Sequence, residues 1–171
     1  MKYYAITCED FQSQTGEFNL VTVQDGIVYV SSESELAEPF KLSGLPEEFV
    51  ANQKLFFEKA KELKKQEIDN AKIAQIENGV EFEGKVYQSA EYDRNLLTST
   101  VSLFAISKSV PEGFVWISKD NEQVPFTLEK LMGLAQAMAT DVQVQTIKAR
   151  NLKDTVEKAK TIDEVNAIKF E

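Results

Sequence analysis

Apolar residues recur at alternating steps of three and four from Thr127 to Lys160, as Leu128, Leu131, Ala135, Met138, Val142, Gln145, Ala149, Leu152, Val156 and Ala159, with Gln145 the only polar member. This spacing is a heptad seam, and a narrow stripe sustained over so many turns predicts a helix packed lengthwise against other helices. Met132, Leu134 and Ile147 lie off the strict stripe and widen the apolar face, which fits two neighbours better than one. Two uses remain open for the seam. It pairs copies of the chain with one another, or it pairs within one chain with the helix from Pro46 to Asn78 or that from Glu91 to Ser107; a polar seam residue such as Gln145 often specifies register, but by itself decides little between the two.

Elsewhere the pattern predicts strands and two further helices. Tyr3 to Thr7, Phe18 to Val23 and Ile27 to Ser31 are rich in aromatic and β-branched residues, and Asp25-Gly26 lies between the last two as a hairpin turn. Residues from Ser31 to Gly44 read as loop. Pro46 followed by Glu47 and Glu48 has the form of a helix start, and Asn78-Gly79 that of its stop. Val80 to Gln88 alternates and turns at Glu83-Gly84, which predicts a hairpin burying Val80, Phe82 and Val86 or Tyr87. Ser89 is placed to cap a helix over Glu91 to Ser107, whose many apolar and few charged residues predict the most buried helix of the chain. A second hairpin, Phe114 to Ser118 with Gln123 to Phe126, turns through Lys119 to Glu122, and Thr127 caps the seam helix. Thr161 with Glu164 starts a final short helix. The expected fold is therefore α+β: a small β-rich module over 1–45, a candidate attachment domain; a long connecting helix over 46–78; and a domain of two hairpins packed on two helices over 79–171.

Charge and composition narrow the function. Lys and Arg number 19 against 28 Asp and Glu, a net charge of −9, which argues against nucleic-acid binding. No apolar run reaches bilayer length, so no membrane insertion is expected. The first ten residues lack the features of a secretory signal, which predicts a product retained in the cytoplasm where it is made.

From about Ala71 onward the chain resembles a family of tail-associated domains of unknown function, encoded among tail and tail-fibre genes of bacteriophages and prophages. The residues that carry the resemblance are Gly79-Val-Glu-Phe-Glu-Gly-Lys-Val-Tyr-Gln-Ser89 with Arg94, then Val115-Trp-Ile-Ser-Lys-Asp-Asn121, Val124-Pro-Phe-Thr-Leu128, and a Lys-rich helix closing on Thr161-Ile-Asp-Glu-Val-Asn-Ala-Ile168. In that family the position of Ala90 is commonly acidic. The resemblance implies a phage tail or tail-fibre setting. With the seam as the self-association element, the expectation is a non-enzymatic structural protein of the virion tail or tail fibre, made in the host cytoplasm, contacting other tail proteins and forming a homo-oligomer. The alternative is a tail-fibre assembly chaperone that leaves before maturation. The resemblance supplies no catalytic residues.

The residues themselves point the same way. Histidine is absent, which excludes Ser-His and Cys-His nucleophile pairs and His metal sites. Asp120-Asn121-Glu122 has the composition of any polar hairpin tip and lacks a calcium-loop pattern, and Cys8 lies beside Glu9 and Asp10, which disfavour a thiolate. No catalytic, cofactor-binding or metal residue is therefore assigned, and no cofactor is expected. A cell-wall glycosidase would need two converging carboxylates, which no spacing here indicates. Trp116 is expected to pack its hairpin on a helix, and Arg94 to tie Glu91 or Asp93 to a neighbouring strand.

Overall fold

The computed structural model describes residues 1–170, which form the α+β arrangement expected. They fall into two compact units, Met1–Lys59 and Ala60–Glu171. The division lies inside the long helix that begins at Glu47.

In the first unit, strands β1 (Lys2–Thr7), β2 (Asn19–Gln24), β3 (Ile27–Ser32) and β4 (Lys41–Leu42) form an antiparallel sheet in the order β2-β3-β1-β4. Strand alternation puts Tyr4, Ile6, Val28 and Val30 on one face, where they are buried with Phe40. Phe18 bridges Phe11 and Phe40, with ring centroids 5.7 and 5.2 Å away. Asp25 and Gly26 both take positive φ, 50° and 77°, the turn geometry whose twist matches a two-residue hairpin. Two elements were not expected: helix α1 (Cys8–Phe11), capped by Thr7, and β4, which lies within the stretch read as loop. A two-residue strand has no periodicity to detect, and it exists because Tyr4 and Ala5 of β1 offer an open edge.

The long helix α2 (Glu47–Glu77) leads into hairpin β5 (Val80–Phe82) and β6 (Lys85–Tyr87), helix α3 (Glu91–Ser107), hairpin β7 (Val115–Ile117) and β8 (Gln123–Pro125), the seam helix α4 (Leu128–Lys158) and α5 (Ile162–Ala167). The register Val80↔Tyr87 and Phe82↔Lys85 buries Val80, Phe82 and Tyr87 and leaves Val86 exposed. Lys119 joins the two hairpins: its amide donates to the Val86 carbonyl at 2.8 Å, and its ammonium to the carbonyl of Asn78 at 2.6 Å. The main core of the second unit holds Val80, Tyr87, Leu97, Phe126, Leu131, Leu134 and Met138.

The expectation that α3 is the most buried helix is overturned. Only Leu97 of α3 is fully buried, whereas Tyr92, Leu96, Leu103 and Ile106 are 75, 46, 62 and 84 % exposed. The apolar residues of α3 lie on two opposite faces. Leu97, Val101 and Phe104, spaced four and three apart, face the core, and only that side is covered by α4 and the hairpins.

Candidate interaction surface

The α4 stripe faces inward along its whole length. Leu131, Met138, Ala149 and Val156 are buried, and Leu128, Ala135, Val142, Gln145 and Leu152 are half-buried. It serves two internal partners in succession. Leu131 and Met138 join α3 and the hairpins, while Ala149 and Val156 enclose Ile68 of α2, with Leu152, Ile168 and Phe170 packed around them. Between the two clusters, Gln145 donates to the Asp141 carboxylate at 3.1 Å, and the remaining side-chain oxygen of each residue is buried without a partner. Of the widening residues, Leu134 enters the core, whereas Met132 and Ile147 stay exposed.

Polar contacts hold α2 to α4. The Lys61 ammonium, on a buried side chain, donates at 3.1 Å to the Glu157 carbonyl in the last turn of α4, where helix carbonyls lack intrahelical donors and a cation is favoured. Lys153 bonds Asp69, Lys72 lies 3.4 Å from the same carboxylate, and Lys65 pairs with Glu157. The Lys153 hydrogen bond holds the Asp69 carboxyl below the usual carboxylate range, and the Lys65 hydrogen bond does the same for Glu157. The N-terminal ends of α4 and α5 are capped as expected: Thr127 accepts from the Lys130 amide at 3.2 Å, and Thr161 accepts from the Glu164 amide at 3.1 Å, while the Glu164 carboxylate takes the amide of Lys160.

Trp116 is half-buried against the core, its ring 6.4 Å from Phe114, which meets Phe104 of α3 edge-on at 5.2 Å. The aromatic chain thus fastens the second hairpin to α3. Arg94 does not make the expected tie to Glu91 or Asp93. Its guanidinium donates to the Ser89 carbonyl, within the same turn of chain. Ser89 is not the cap either. Ala90 occupies that position, Asp93 accepts the Ala90 amide at 3.1 Å, and the Ser89 hydroxyl is buried without a partner. Asp93 thus satisfies the Ala90 amide, while Ala90 has no polar side chain to accept a first-turn amide. At the Asp120–Glu122 tip the carboxylates are engaged by Ser118 and Lys85, with Lys85 at 2.5 Å from Glu122 and 3.9 Å from Asp120. The Ser118 hydrogen bond holds the Asp120 carboxyl below the usual carboxylate range, and the Glu122 hydrogen bond raises the Lys85 ammonium above its ordinary value.

A groove of about 390 Å³ runs between α3 and β7, lined by Leu96, Leu103, Phe104, Phe114, Trp116 and Ile117, with Asp93 the one charged side chain on its wall. It opens onto the exposed α3 face, and sequence reasoning missed both. The signal was present as two apolar stripes on one helix, of which only Leu97-Val101-Phe104 has an internal partner. No helix among the described residues is long and apolar enough to cross a membrane.

Fold and surface together define a domain of hairpins packed on long helices, with one apolar helix face left exposed. Residues 59–169 match the family described as a domain of unknown function, DUF4376, and the chain belongs to that family. The match begins before Ala71 and so takes in the α2 turns that carry Lys61 and Ile68 onto α4. Searches of curated proteins and of solved structures return no match.

Proposed function

We propose that this protein is a non-enzymatic structural component of a bacteriophage tail or tail fibre, acting through contacts with other tail proteins and with itself. The observation that carries the protein-contact part is the exposed apolar face of α3 beside the groove. A solvent-exposed stripe of this kind costs solubility unless a partner covers it. The tail setting rests on the resemblance of residues 71–171 to tail-associated domains, and in this reading the protein works in the virion after synthesis in the host cytoplasm. Quantitative mass spectrometry of purified particles tests the reading. Stoichiometric recovery of the chain supports a structural component. Recovery far below stoichiometry, with the chain present in infected-cell lysate on a tail protein, replaces it with an assembly chaperone.

A further inference from the structure

The exposed face of α3 has a period of its own. Tyr92, Leu96, Ser99, Leu103 and Ile106 are spaced four, three, four and three apart, the same heptad rhythm as the α4 stripe, on the side of the helix opposite Leu97. No charged residue occurs from Asn95 through Ser107. In a chain of net charge −9, that uncharged strip is where two copies approach with least repulsion. Charge returns only at the ends: Glu91, Asp93 and Arg94 before the strip, with a net negative sign, and Lys108 after it. We infer that α3 is a self-association surface on which two copies pair antiparallel about a two-fold axis near Ser99.

The antiparallel sense follows from self-complementarity. A two-fold contact must match the face to itself, and reversal sets Leu96 level with Leu103, Tyr92 level with Ile106, and Glu91 level with Lys108 of the other copy. A parallel pair sets Glu91 against Glu91 and Lys108 against Lys108. Ser99 at the axis keeps the centre narrow, and the groove beside Leu96 and Leu103 gives the protruding side chains of the other copy a place to enter. The exposed parts of these residues with Ile117 amount to roughly 600 Å² per copy, so a pair buries about 1,200 Å², the lower bound for a specific stable interface. The α4 seam, by contrast, is already occupied within the chain.

This rests on the reading of the chain as a protein-contact module, and the two fail separately. Sedimentation velocity of the full chain should show a concentration-dependent dimer, and Leu103→Glu with Ile106→Glu should weaken it at least about a hundredfold with the far-UV spectrum unchanged, since both side chains are exposed. Glu91→Lys or Lys108→Glu alone should each weaken the dimer about three- to tenfold at low salt, and the two together should restore it. That restoration is specific to the antiparallel match. A chain monomeric to about 100 μM, or a dimer indifferent to the double glutamate variant, overturns the inference. A monomer that is nonetheless stoichiometric in particles overturns the pairing alone and leaves the structural role standing.

Discussion

Gly79, between α2 and β5, offers a quantitative test of how the second unit is held together. Its φ is +95°, a conformation an L side chain rarely adopts, and a Cβ there would lie 2.6 Å from the Tyr87 carbonyl oxygen and 2.9 Å from a Val86 methyl. Gly84 in the turn of the same hairpin also has positive φ, +77°, but its Cβ would meet nothing within 4 Å. Gly84→Ala therefore costs conformational strain alone, about 1–2 kcal/mol. Gly79→Ala adds a collision with backbone that cannot give way, because Tyr87 is fully buried and paired with Val80; overpacking of this kind costs a further 1–3 kcal/mol or so, for a total of about 2–5 kcal/mol. Trp116 is the single tryptophan and lies in this unit, so thermal unfolding followed by its fluorescence reads the second unit without the first. At about 4 °C per kcal/mol, the melting midpoint should fall by roughly 8–20 °C for Gly79→Ala and 4–8 °C for Gly84→Ala. Equal losses for the two variants would refute the close approach of β6 to Gly79.

Ile68→Ala should destabilise the second unit by about 2–5 kcal/mol through loss of the α2–α4 cluster, whereas Met132→Ala and Ile147→Ala should stay within about 0.5 kcal/mol; far-UV denaturation curves compare them. Reversed magnitudes would place the working face of α4 on the outside. Ser89→Ala removes a buried hydroxyl that has no partner, so stability should be unchanged or rise by up to about 1 kcal/mol, and a loss greater than that would show a bond the hydroxyl makes. Asp69 has a folded pKa below its unfolded value, so its contribution is present above about pH 4 and disappears as pH falls through the folded pKa. The pair with Lys153 is partly exposed, which limits that contribution to about 1 kcal/mol or less. The stability gap between wild type and Asp69→Asn, measured by urea titration at neutral and strongly acidic pH, should close on acidification, and a constant gap would remove the ion pair from the account.

Local chemistry made much of this architecture readable. Asp25-Gly26 and Glu83-Gly84 mark turns because both positions of each require positive φ, and Pro46, Gly79, Thr127 and Thr161 mark helix ends because each answers a backbone group that the helix leaves unpaired. The direction of the α4 stripe was legible too, since a period of 3.5 residues aligns side chains whatever they meet. Which helix each half meets was not, because Ile68 reaches Ala149 only through tertiary folding. The burial of α3 was misread for a related reason. Composition reports how apolar a helix is, but the number of sides covered depends on how many elements arrive, and α3 receives them on one side. Arg94 and Ser89 failed at a finer scale: one step in the capping position moved the cap to Ala90 and left the guanidinium closest to a carbonyl.

The contacts from α2 to α4 also set an order of events. Lys153 reaches Asp69 across 84 residues and Lys61 reaches Glu157 across 96, whereas the hairpin pairings close loops of a few residues. Closure entropy is lost before such distant contacts return anything, so the hairpins with α3 and the first half of α4 are the natural nucleus, and α2 docks onto an already formed surface. The same helix is then the first to detach when the domain opens. Split between two partners, α4 gives the domain two thresholds of unfolding, with the Asp141–Gln145 pair marking the joint between the part that forms early and the part that forms late.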